Sequence, residues 1–79
     1  MPETVSLNEL SIGDIAVVCH IKTTGSMKRR FLDIGLVSGT QVECIGISPM
    51  GDPKAYLIRG AVIAIRNEDS SDIFVKILN

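Results

Sequence analysis

Short runs of alternating apolar and polar residues, broken by glycine and proline, fill most of this chain, and they predict strands. Asp14 to Ile21 is the first, with Ile15, Val17, Cys19 and Ile21 on one face and Ala16 and Val18 on a second, partly covered face. Gln41 to Ile47 is the second. Its phase slips, with Val42 and Cys44 on one side and Ile45 and Ile47 on the other, so an extra residue near Cys44–Gly46 should bulge and bend the strand. Lys54 to Ile58 and Ala61 to Arg66 follow, joined by Arg59-Gly60, which is short enough for a tight hairpin. Asp72 to Leu78 ends the series, with Ile73, Val75 and Ile77 facing one way. Pro49-Met-Gly-Asp-Pro53 and Asn67-Glu-Asp-Ser-Ser71 are polar turns, the second long enough for one turn of helix.

One segment departs from the period of two. Met27, Phe31 and Ile34 recur at helical spacing, while Lys28, Arg29 and Asp33 lie away from them. Ser26 is the expected cap at the start of this helix. Gly35 is the expected stop, taking the left-handed conformation so that Leu36 folds back toward Phe31. Val37-Ser-Gly-Thr40 then turns sharply. Nearer the start, Ser6-Leu-Asn-Glu9 matches a capping box, with Val5 and Leu10 placed for a hydrophobic staple around one turn of helix. Residues 1–5 read as a flexible tail and 6–79 as a single domain. The whole pattern predicts a mainly β fold: a small SH3-like barrel of about five strands with one short inserted α-helix, an OB-type barrel being the second choice. Closure into a barrel would remove exposed edges.

Composition narrows the function classes. Seventy-nine residues make one domain with a small core. A hydrophobic content of 46% and a mean hydropathy of +0.32 argue against disorder. Aromatic residues are only 4%, so aliphatic side chains must do the filling. The net charge of −1 supplies no general attraction to nucleic acid or anionic lipid. The longest apolar runs are strand-sized and the N-terminus lacks a signal-peptide pattern, so a cytoplasmic protein without direct membrane insertion is expected. Cys19 and Cys44 stand far apart in apolar runs with no CxxC partner and read as reduced core thiols.

Few residues offer catalytic chemistry. His20 is the one histidine, and its phase turns it outward. Nucleophile-elbow, HExxH, GxxxxGK[ST] and GxGxxG patterns are absent, so the chain is not expected to be an enzyme or to carry a cofactor or metal. Glu68, Asp69 and Asp72 read as a solvated turn with a capping aspartate. Lys28-Arg29-Arg30 is the one basic run, a solvated helix face or a charged surface for an acidic protein partner; without stacking aromatics it is a poor nucleic-acid site. Leu32 is the anomaly. It falls beside Arg29, opposite Ile34, where an isolated helix favours a polar residue. Either the loop Leu36–Thr40 covers it or it is exposed for contact. In the second case an apolar contact ringed by charge, made by Lys28, Arg29, Leu32 and Val37, is the candidate partner-binding surface.

Four motifs in order give the chain a family likeness: Leu7-x-x-Leu10-x-x-Gly13; Arg29-Arg30-Phe-x-Asp33-Ile-Gly35-Leu36-x-x-Gly39-Thr40; Pro49-Met-Gly51-Asp52-Pro53; and Ile58-x-Gly60-x-x-Ile63-Ala64-Ile65-Arg66. Together they resemble the FeoA family, small SH3-like proteins of bacterial ferrous iron transport, from Leu7 to Ile77. Phe31 stands where leucine is common, Lys54 where an aliphatic residue is usual, and Ser70 where a small apolar one is. The resemblance implies a non-enzymatic accessory protein acting with a FeoB-type membrane permease, whose cytoplasmic part contains a GTP-binding domain. It also implies an alternative, because the same fold forms the C-terminal domain of iron-dependent transcriptional repressors. A repressor needs a DNA-reading helix-turn-helix ahead of this module, and Met1 lies only a few residues before the first motif.

Overall fold

The computed structural model describes residues 4–79. In chain order it comprises β1 (Val5–Ser6), a 3-10 turn (Leu7–Glu9), β2 (Ile15–Ile21), α1 (Gly25–Asp33), β3 (Gln41–Ile47), β4 (Lys54–Ile58), β5 (Ala61–Ile65), α2 (Asn67–Ser70) and β6 (Ile73–Ile77). The strands form one six-stranded sheet in the order β1-β6-β2-β3-β4-β5, and every pairing is antiparallel. Six strands thus replace the expected five. The extra one is β1, whose Val5 pairs with Val75; of the tail expected over residues 1–5, the first three lie outside the described residues. The ladder also stays open, so β1 and β5 remain edges, contrary to the closure expected of a barrel.

Two bulges bend the sheet. The register slips between Cys44 and Gly46, where the apolar phase of the sequence slips too. A second slip, between Val18 and His20, leaves Cys19 out of the ladder. It corrects the reading of β2. Ala16 and Val18 form the core face, at 0% and 1% exposure, whereas Cys19 is exposed rather than a core thiol. Past the bulge the phase inverts, and Ile21 packs back against the core. Cys44 is buried, as its strand predicts, and both cysteines are free.

Tyr56 is the largest fully buried side chain, in one core cluster with Leu7, Leu10, Leu36, Ile58 and Ile73. Its hydroxyl donates to the Leu7 carbonyl at 3.3 Å, tying β4 to the 3-10 turn. The capping box at that turn is made from the Glu9 side: its carboxylate accepts the Ser6 N–H at 2.7 Å. The Ser6 hydroxyl itself donates to the Ser71 carbonyl at 3.1 Å. Lys54, the departure from the family pattern, closes the other end of the turn. Its ammonium donates to the carbonyls of Asn8 and of Leu10, the latter at 3.0 Å. These are carbonyls that a helical turn leaves unpaired at its C-terminal end. Ser70 is fully buried, with its hydroxyl donating to the Asn67 carbonyl at 3.4 Å.

Candidate functional site

Helix α1 carries the candidate residues, and its ends determine how they are presented. It starts at Gly25 after an extended Thr24, so the cap lies two residues ahead of the expected Ser26, and Thr24 makes no side-chain cap bond. Ser26 therefore sits inside the first turn. The other end follows the expected stop. Gly35 takes φ +82°, its N–H donates to the Leu32 carbonyl at 3.0 Å, and the Leu36 N–H donates to the Phe31 carbonyl at 2.8 Å. These two bonds and the buried Leu36–Phe31 pair make a Schellman cap.

The turn after the cap is pinned at several points. The Thr40 hydroxyl donates to the Gly35 carbonyl at 2.8 Å and accepts the Val37 N–H at 3.2 Å. Gly39, at φ +93°, donates its N–H to the Val18 carbonyl at 2.7 Å, and the Thr40 carbonyl accepts the Val18 N–H at 2.9 Å. The Ser38 hydroxyl donates to the Cys19 carbonyl at 3.1 Å, so the turn is clasped onto the bulge of β2.

Between this turn and the outward side of α1 lies a groove of about 270 Å³, lined by Lys28, Leu32, Val37 and Ser38, with Phe31 and Leu36 beneath and Cys19, His20 and Ile21 along the end of β2. Leu32 is 49% exposed, so the loop does not cover it. Three of the four candidate residues, Lys28, Leu32 and Val37, thus line one depression. Arg29 is exposed one position along the helix and does not line it. Cys19, His20, Ile21 and Ser38 were not picked out in the sequence as part of this surface. Their link to it is the bulge at Cys19, which an unbroken apolar run conceals. His20 faces outward as expected, stacked on Phe74 with ring centroids 6.1 Å apart. The groove thus offers apolar contact beside a lysine and a histidine. Among the described residues there is no group of three or more His, Cys, Asp or Glu placed to hold a metal ion, and no helix is long and apolar enough to cross a membrane.

The FeoA domain model matches residues 5–77. The chain is 32% identical over 73 residues to a Fe(2+) transport protein A/Fe(2+) transporter FeoB fusion protein of Porphyromonas gingivalis, a match covering 92% of this chain but only 9% of that protein. The solution structure of a FeoA-like protein from Clostridium acetobutylicum superposes with a TM-score of 0.89 at 34% identity, covering 100% of this chain and 92% of that one. At lower identity the likeness concerns the fold. FeoA of Stenotrophomonas maltophilia, solved with zinc and described as an SH3 domain protein, matches at TM-score 0.79 and 24% identity over 90% of this chain and 88% of that one. The T. acidophilum IdeR structure matches at TM-score 0.84 and 20% identity, with 95% of this chain covering 34% of it.

Proposed function

The chain belongs to the FeoA family, and from that premise we propose that it is a non-enzymatic, cytoplasmic accessory protein of bacterial ferrous iron uptake that docks on the cytoplasmic GTP-binding region of a FeoB-type permease. The observation that carries this reading is the half-exposed Leu32 at the groove between α1 and the Val37–Thr40 turn. An apolar side chain held outward by a rigid cap, with Lys28 in the groove and Arg29 beside it, has the make-up of a docking patch. The P. gingivalis relative supports the choice of partner, since it joins the two proteins in one polypeptide. Fusion of that kind raises the effective concentration of one module at the other. Docking would regulate transport by favouring one state of the permease, which requires different affinity for its two states.

Leu32→Glu combined with Arg29→Glu is expected to weaken association with the permease's cytoplasmic region by about tenfold or more, measured by titration calorimetry with purified components. The melting temperature should stay close to the parent's, because surface substitutions at exposed positions change stability by only about 0.5 kcal/mol. Unchanged affinity in a well-folded double variant would place the interface elsewhere.

A further inference from the structure

One of the two open edges of the sheet, β5, lies on the other side of α1. Strand β5 ends the strand order, and its sequence, Ala61-Val-Ile-Ala-Ile65, contains no charge, proline or bulge to guard the edge. The Arg59-Gly60 turn makes Ile58 and Ala61 the first pair of the hairpin. In such two-residue hairpins the closing pair is hydrogen-bonded, and bonded pairs then alternate with unbonded ones. Val62 and Ala64 therefore turn their N–H and C=O groups away from β4. Neither takes part in a backbone hydrogen bond outside the sheet among the described residues.

Beside this edge runs a second groove, of about 240 Å³, lined by Met27 of α1, by Ile34 just past its end and by Ile63 and Ala64 of β5. It shares only Phe31 with the first groove. Arg30 and Arg66 also line it, against one acid, Asp69, so its rim is net positive. We propose that β5 is a strand-addition site for an extended peptide that places an apolar side chain in this groove and carboxylates against Arg30 and Arg66. Main-chain bonds to Val62 and Ala64 would supply the affinity, and the groove and the two guanidiniums the selectivity. The charges decide between occupants. A second copy pairing antiparallel through its own β5 would set Arg66 of each copy near Arg59 of the other, which like-charge repulsion opposes. An acidic extended segment meets no such penalty. Because the two grooves lie on opposite sides of α1, this site stands or falls separately from docking at Leu32.

The test uses the full chain labelled with 15N and a blocked peptide, acetyl-Glu-Val-Ile-Val-Glu-amide, with acetyl-Lys-Val-Ile-Val-Lys-amide as its partner probe. The acidic peptide should shift the Val62 and Ala64 amides and slow their hydrogen exchange, while the Val37 and Ser38 amides stay put. The basic peptide should bind about tenfold more weakly or not at all. Arg30→Glu with Arg66→Glu should reverse that preference, and Val62→Pro, which removes an outward N–H at a position 65% exposed without taking a bond from the β4 ladder, should weaken the acidic peptide. Equal binding of the two peptides would overturn the proposal, as would shifts confined to the Leu32 groove. So would protection of the same amides by the protein alone as its concentration rises, which would make the occupant a second copy.

Discussion

Replacing Gly35 with valine is expected to cost roughly 3 kcal/mol of stability, from left-handed strain and overpacking together. Two independent causes meet at this residue. Its φ of +82° lies where a Cβ crowds the backbone, and a β-branched side chain suffers most. A Cβ built there would also lie 2.2 Å from Cδ and 2.9 Å from Nε of Arg59 in the hairpin turn between β4 and β5. The arginine is long and can swing aside; the backbone cannot. Thermal or urea unfolding of three variants separates the causes. Gly35→Val should melt far below the parent. Gly35→Asn, which tolerates the left-handed region better, should lose less. Arg59→Ala should rescue part of the loss in the valine background. Since a domain of this size has only about 4–12 kcal/mol to lose, coincident melts of Gly35→Val and the parent would mean that α1 does not end as described.

The second large effect is alkaline. Burial pushes the Tyr56 phenol up from 10.0 to about 12. The folded state thus holds the phenolic proton across a range where the unfolded chain releases it. Stability from this source is complete below pH 10 and is lost as the pH rises through about 12. A shift of that size corresponds to on the order of 2 kcal/mol. Urea unfolding at a series of pH values, compared with Tyr56→Phe, isolates it. The phenylalanine variant should be about 1 kcal/mol less stable at neutral pH, because the Leu7 carbonyl loses its donor. It should then decline less between pH 10 and 12, so that the gap closes and the phenylalanine variant becomes the more stable of the two near pH 12. Parallel curves for the two proteins would refute the assignment.

Legibility in the sequence followed how far each cause lies along the chain. The bulge at Cys44–Gly46 was visible because the apolar phase slips there. The bulge at Cys19 was not, because Ile15 to Cys19 is apolar throughout and shows no phase to break. That one hidden residue inverted the reading of β2 and concealed one wall of the groove. The cap at Gly35 is local chemistry and could be read directly, whereas the start of α1, lacking a side-chain bond at Thr24, left no such signal. Strand β1 is two residues long, and its partner lies at the far end of the chain. Lys54 looked like a misfit until its carbonyl partners, some forty residues earlier in the chain, came into view. Leu32 drew notice because it sat on the wrong side of a helix, and the structure places it, with Lys28 and Val37, in one groove.

The strand order has a kinetic consequence. Strands β2, β3 and β4 are each paired with the next in sequence, so the β2–β5 meander can form as soon as it leaves the ribosome. Strand β6, last to be made, then inserts between β1 and β2 and supplies the buried Ile73 and Val75. Until it does, the core has no floor on that side and the edge of β2 is bare. Closing that long loop is the expected slow step of folding. A nascent chain halted before Ile73 would present two open edges, those of β2 and β5, to whatever else in the cell can add a strand.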